Sequence, residues 1–101
     1  MPINKVMAEH QRISILITLK ESQDYGANTS MLMDVLKAYA LGCTRDQLKT
    51  ELNWLEQNGY ISLERMGENT WVARITPTGM DVAEGVSIVP GIKRPGPRSP
   101  I

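Results

Sequence analysis

The sequence predicts a mainly α-helical domain that carries a two-stranded β hairpin. Three observations lead to this fold class. Apolar residues recur at helical spacing in three segments, a turn with its own helix cap separates the second segment from the third, and two alternating segments around Gly67 follow. A chain of 101 residues is long enough for one hydrophobic core, so we expect a single folded domain.

The first helix is predicted over residues 5–22, and it has two apolar stripes. One stripe is formed by Val6, Ile13, Leu16 and Ile17. Ile15 and Leu19 belong to a second stripe on nearly the opposite side. Such a helix is either buried on both sides or buries one side against a partner chain. We expect a homodimer in which Ile15 and Leu19 contact the second copy.

A helix-turn-helix is predicted in the middle of the chain. The second helix covers about residues 30–41, after a loop. Thr44 and Gln47 then have the spacing of a capping box, in which each side chain accepts a hydrogen bond from the other residue's backbone N–H. The third helix, over residues 44–58, buries one face formed by Leu48, Leu52 and Leu55. A capped tight turn sets the angle between the two helices.

The hairpin, a short helix and a tail complete the prediction. Two alternating segments, residues 60–66 and 71–75, predict strands on either side of a turn at residues 67–69. A short helix is expected from Pro77, with Thr76 as its cap. The remaining residues are rich in Pro and Gly, so we expect a folded domain over residues 1–88 and a disordered basic tail over residues 89–101.

This order of elements is the plan of a winged helix-turn-helix, in which one helix enters a DNA groove. Asn and Gln side chains can pair with adenine, and Thr can contact a thymine methyl group or a phosphate. Basic side chains can contact phosphates. The candidate DNA contacts are Arg45, Gln47, Lys49, Thr50 and Asn53 in the third helix, Arg65 and Asn69 in the hairpin, and Lys93, Arg94 and Arg98 in the tail.

Several passages resemble known families. Residues 52–61 resemble the passage from recognition helix to wing in ArsR, MarR and PadR regulators, and residues 75–79 resemble the junction after their wing. Residues 7–12, 44–48 and 89–95 are similar to small winged-helix proteins of Mu-like prophages, a similarity that covers nearly the whole chain. The resemblance implies a bacterial or phage protein that acts in the cytoplasm. It implies no molecular function, because fold alone does not determine activity.

The charge distribution leaves two functions open. Lys93, Arg94 and Arg98 are three of the 11 basic residues, so 8 basic and 11 acidic side chains remain in the first 90 residues, a net charge of −3. DNA-binding domains are usually basic. We expect a DNA-binding phage or prophage transcriptional regulator that needs a locally positive face. The alternative is a protein-interaction module in phage packaging or assembly, with an acidic face and Trp54 as its anchor.

Other classes of function find little support in the sequence. One cysteine, Cys43, and one histidine, His10, are too few for a structural zinc site, and Cys43 is expected to be a packing residue. No glycine-rich phosphate loop or catalytic constellation is present, so we expect neither an enzyme nor a cofactor. The longest apolar run, residues 15–17, is too short to span a bilayer, and the opening residues lack the layout of a signal peptide.

Overall fold

A computed structural model describes residues 2–96 of the chain. Its elements are α1 (Ile3–Glu21), a 3-10 turn (Gln23–Tyr25), β1 (Gly26–Asn28), α2 (Thr29–Ala38), α3 (Arg45–Gln57), β2 (Ile61–Arg65), β3 (Trp71–Ile75) and α4 (Pro77–Ala83). The described part of the chain is therefore mainly helical, with a small antiparallel sheet in the strand order β1-β3-β2.

The helices confirm the predictions made from local sequence. Their ends lie within a few residues of the predicted ends. The capping box of α3 is complete, because the Gln47 N–H donates to the Thr44 hydroxyl over 3.1 Å and the Thr44 N–H donates to the Gln47 side-chain oxygen over 3.0 Å. Thr76 caps α4 by accepting from the Gly79 N–H, and Pro77 occupies the first position of that helix.

The predicted two-stranded hairpin is present as β2 and β3, and β1 adds a third strand that was not predicted. β1 pairs antiparallel with β3, with Ala27 opposite Ala73. The three residues of β1 have the composition of a turn, so no alternation marks them in the sequence. Gly26 permits this pairing, since a Cβ atom there would lie only 2.9 Å from the Arg74 side chain. The turn between α1 and α2 therefore closes the free edge of β3.

The core surrounds α1 on both sides. This helix packs against α2, α3, α4 and the sheet. Ile15 and Leu19 are both 0% exposed within the single chain. The prediction that they contact a second copy is therefore wrong, and the other explanation for two apolar stripes applies. The sequence pattern shows that a face is apolar but does not identify what covers it.

The segment after α4 returns to the domain as a strap, which we define as residues 86–96. Ile92 in the strap is 7% exposed. The Gly91 carbonyl accepts a hydrogen bond from Arg12 over 2.8 Å, and the Lys93 N–H donates to the Glu9 carbonyl over 3.3 Å. Composition predicts disorder from residue 89, whereas residues 89–96 lie against the domain because Ile92 supplies an apolar anchor. The domain boundary at residue 88 stays a prediction.

Candidate nucleic-acid interface

The outer face of α3 is polar. Its inner face consists of three fully buried leucines, Leu48, Leu52 and Leu55. Packing of that face leaves Gln47, Thr50 and Gln57 exposed, with Asp46 as the exposed acid of the first turn. Asn53 is half-buried, toward the hairpin. The exposed stripe of α3 therefore carries hydrogen-bonding groups and one negative charge.

The tip of the β2–β3 hairpin lies over the start of α3. The Arg45 guanidinium donates to the Asn69 carbonyl over 3.0 Å, and the Thr29 hydroxyl donates to the same carbonyl over 3.0 Å. The Lys49 ammonium group donates to the Glu68 carbonyl. These bonds join the N-terminal ends of α2 and α3 to the hairpin, so helix and hairpin form one continuous surface.

Arg45 and Lys49 keep their positive charge on this surface. Backbone carbonyls orient a cation without neutralising it. The ion pairs found within residues 2–96 are Arg12–Glu51, Arg65–Glu56 and Arg74–Glu64, and they do not include Arg45 or Lys49. The start of α3 therefore carries two cations without a carboxylate partner among the described residues, next to the exposed acids Asp46 and Glu68.

Arg65 is engaged within the domain. Its guanidinium lies 2.9 Å from the Glu56 carboxylate and donates to the Asn53 side-chain oxygen over 2.6 Å. The hydrogen bond with Glu56 raises the pKa of Arg65 above its ordinary value, so the charge is permanent but offset by its partner. Arg65 also lies 4.7 Å from the centre of the Trp71 ring, and the Lys49 ammonium lies 5.4 Å from it.

The structure brings most of the predicted DNA contacts of the domain together. Arg45, Lys49, Asn53, Arg65 and Asn69 are linked through the contacts between α3 and the hairpin. Thr50 lies beside them on the exposed stripe of α3, whereas Gln47, although exposed, lies on the opposite flank with Glu51, toward α1. The tail residues Lys93 and Arg94 belong to the strap, apart from this surface: the Lys93 N–H bonds to the Glu9 carbonyl of α1, and Pro95 lies beside Gly85 after α4. Arg98 lies outside the described residues.

The sequence analysis missed two residues that organise this surface, Trp71 and Thr29. Trp71 lies opposite Arg65 in the hairpin register and carries two cations on its ring. A hairpin centred on residue 68, the middle of the predicted turn, places residues 65 and 71 opposite each other, so the sequence could have indicated this pairing. Thr29 is buried and holds the tip carbonyl of Asn69, a contact across 40 residues that local patterns cannot indicate.

Trp54 is a packing residue on the other flank of α3. Its ring centre lies 4.0 Å from the Arg12 guanidinium and 6.2 Å from the Tyr60 ring. Gly91 of the strap covers it closely. Trp54 therefore packs between α1, the strap and the start of β2, rather than standing exposed as the anchor that the interaction alternative requires.

Two further observations bound the chemistry of the described residues. Within residues 2–96, no group of three or more His, Cys, Asp or Glu side chains is arranged to hold a metal ion. In the same part of the chain, no helix combines the length and apolarity that crossing a membrane requires.

Cys43 is half-buried beside the core, as expected for a packing residue.

The fold and this surface define a small, mainly helical domain with a three-stranded sheet and a polar, charged surface where a hairpin meets a helix. The chain is 36% identical over 97 residues to "Uncharacterized protein gp26" of Escherichia phage Mu. The aligned residues cover 96% of this chain and 99% of that protein. It is also 36% identical over 76 residues to an "Uncharacterized protein" of Haemophilus influenzae, covering 75% and 74% of the two chains.

The chain therefore belongs to the same protein family as gp26 of phage Mu. The expected relationship to Mu-like phage proteins is confirmed at this level. No family model matches the chain, and no solved structure matches it either.

Proposed function

We propose that this protein binds double-stranded DNA as a winged helix-turn-helix and acts as a phage or prophage transcriptional regulator. In this proposal α3 is the reading helix and the β2–β3 hairpin is the wing. The observation that carries the proposal is the pair Arg45 and Lys49. These two cations have no carboxylate partner among the described residues, and they border an exposed polar stripe.

In this proposal, different residues of the surface contact the phosphates and the bases. Arg45 and Lys49 supply phosphate contacts, which position a protein on the duplex. The side-chain oxygens of Gln47 and Asn53 are already occupied by Thr44 and Arg65, so their amide N–H groups remain as donors toward base acceptors. The major groove admits an α-helix and presents such acceptors on its purines.

The interaction alternative has weaker support. It needs a negative face with an accessible anchor, and Trp54 is covered by Arg12 and the strap. A protein partner is therefore an outcome of the test below rather than a second proposal.

Binding to a fluorescent random-sequence duplex, followed by anisotropy at low and physiological salt, tests the proposal. We expect Lys49→Glu to weaken binding on the order of tenfold, because it reverses the charge of one phosphate contact. The matched control is Lys20→Glu, which makes the same change in the last turn of α1. No binding by the full chain at low salt would contradict the proposal and direct the search to protein partners.

A further inference from the structure

Arg65 of the hairpin is held against α3 by both ends of its guanidinium group. Its two terminal nitrogens lie 3.3 and 2.9 Å from the two carboxylate oxygens of Glu56, which makes a bidentate pair. One of these nitrogens also donates to the Asn53 side-chain oxygen over 2.6 Å. The guanidinium carbon lies 4.7 Å from the centre of the Trp71 ring. Three neighbouring side chains therefore fix the position of Arg65.

The contact with Arg65 determines which way the Asn53 amide faces. A guanidinium group has donors but no acceptor, so the Asn53 atom that approaches it is the oxygen and not the nitrogen. The amide nitrogen Nδ2 of Asn53 donates to none of the described residues. In the described part of the chain, no buried side-chain nitrogen or oxygen lacks a hydrogen-bond partner. The Nδ2 atom of Asn53 is therefore accessible to solvent.

Asn53 lies at the edge of the exposed stripe of α3. Residues three and four positions apart are neighbours on the surface of a helix. On the side away from the hairpin these neighbours are Thr50 and Gln57, and both are exposed. Asn53 itself is half-buried between them and Arg65. Its accessible N–H groups are therefore within reach of a ligand that lies along this stripe.

We propose that Asn53 selects guanine over adenine in the major groove, and that Arg65 is the positioning residue that gives Asn53 this preference. The inference rests on the proposed function. An asparagine with both amide atoms available pairs bidentately with adenine, because it donates to N7 and accepts from the N6 amino group. The oxygen of Asn53 is occupied by Arg65, so Asn53 offers donors alone. Guanine presents two adjacent acceptors, N7 and O6, whereas the amino group of adenine opposes a second donor.

This role for Arg65 differs from the phosphate or minor-groove contact expected of a basic wing residue. Its charge is offset by Glu56, and its donors are directed at residues of α3. Loss of Arg65 should therefore change which base is preferred. A purely structural role would instead weaken binding to all sequences alike, so base preference distinguishes the two.

Selection of bound duplexes from a library with a randomised segment, followed by sequencing, measures the preference at each position. Asn53→Ala identifies the position that Asn53 contacts, because the preference of the unmodified protein disappears there. At that position we expect the unmodified protein to enrich guanine over adenine by roughly fivefold or more, the lower end of what one specific base contact contributes.

The double variant Arg65→Met/Glu56→Gln frees the Asn53 oxygen without changing the net charge, since it removes one cation and one anion together. Methionine keeps an unbranched apolar side chain beside Trp71. We expect the preference to move toward adenine by roughly fivefold or more, because Asn53 then has both a donor and an acceptor available. The matched control is Glu56→Gln, which leaves Arg65 bonded to Asn53 and should keep the preference for guanine.

Asn53→Asp is a second variant with the same side-chain shape. Its carboxylate retains Arg65 as a partner, but the atom that replaces Nδ2 is an acceptor. We expect the preference for guanine to disappear and cytosine, which presents an amino donor, to be favoured instead. Circular dichroism and urea unfolding verify that each variant is folded. If the double variant unfolds, Asn53→Asp decides, and a retained preference for guanine overturns the inference.

Three results would overturn the inference while leaving DNA binding intact. The unmodified protein could prefer adenine at the position that Asn53 contacts, the double variant could keep the preference for guanine, or no position could respond to Asn53→Ala. Absence of binding by the unmodified full chain at low salt would instead overturn the proposed function, and this inference with it.

Discussion

Cys43 lies in the turn before α3, half-buried beside the core. Burial, and secondly the carboxylate of Glu51, raise the pKa of its thiol above the ordinary value. Both causes disfavour the thiolate, which is the reactive form. Folding therefore makes this thiol less reactive near neutral pH.

The reaction of Cys43 with a thiol reagent such as Ellman's reagent should show this shift. We expect the folded protein to react more slowly than the urea-unfolded chain at the same pH, with its rate rising at higher pH. Glu51→Gln removes the second cause and should move the profile partway back. Since the pKa is raised on folding, this thiol favours the folded state at lower pH, and that contribution disappears as pH rises through the folded-state pKa. Identical profiles for folded and unfolded chains would contradict this account.

Ile15 shows what a single buried side chain contributes. It is fully enclosed by this chain, on the stripe of α1 that sequence periodicity identifies but cannot assign to a neighbour. Its methyl and methylene groups are removed from water on folding, so their deletion leaves a cavity as well as lost burial.

Urea unfolding of Ile15→Ala should show a large loss of stability, about 2–5 kcal/mol. Ile3→Ala is the matched control, because Ile3 is on the same helix and 78% exposed. Its stability should stay within about 0.5 kcal/mol of the unmodified protein. Similar small effects at both positions would mean that Ile15 is not a core residue.

At the scale of elements, the start of α4 is pressed against the chain that enters β2. The Thr76 N–H donates to the Tyr60 carbonyl over 3.1 Å. Gly79, in the first turn of α4, is buried against the same carbonyl, and a Cβ atom there would lie 2.0 Å from its oxygen. Only glycine lets the helix and the hairpin meet at this distance.

Gly79→Ala should therefore destabilise the protein although alanine is the better helix former. We expect a loss of about 1–3 kcal/mol in urea unfolding, since α4 must move away from β2. The control is Gly67→Ala in the hairpin tip, where no atom lies within 4 Å of the added Cβ. That variant should change stability by less than about 0.5 kcal/mol. A stabilised Gly79→Ala protein would show that helix propensity outweighs the close approach.

At the scale of the whole molecule, the features that depend on near neighbours in sequence were predictable. The four helices, the capping box at Thr44 and the hairpin turn all follow from residues a few positions apart. The third strand and the strap were not predicted, because each depends on contacts between residues more than 40 positions apart in the sequence. Gly26–Asn28 and residues 89–96 carry turn-like composition, which conceals their pairing and burial.

The candidate site follows the same distinction. The sequence identified which residues of α3 are polar. Because the predicted hairpin follows α3 directly, the sequence also indicated that Arg65 and Asn69 lie near them. It did not indicate that Glu56 pairs with Arg65 or that tip carbonyls accept from Arg45 and Lys49. Those partners determine which charges remain available to a ligand, and they depend on side-chain geometry that spacing does not specify.

The bond between Arg12 and Gly91 also bears on how the protein is made, because it joins residues 79 positions apart. α1 is synthesised before α4 and Ile92, yet it packs against α4 and shares its hydrophobic core with Ile92. At about 5–20 residues per second, the ribosome needs roughly 4–16 s to extend the chain from the first partner to the second. During that interval the apolar stripes of α1 lack part of their native cover, and the domain completes its core only after residue 92 has emerged.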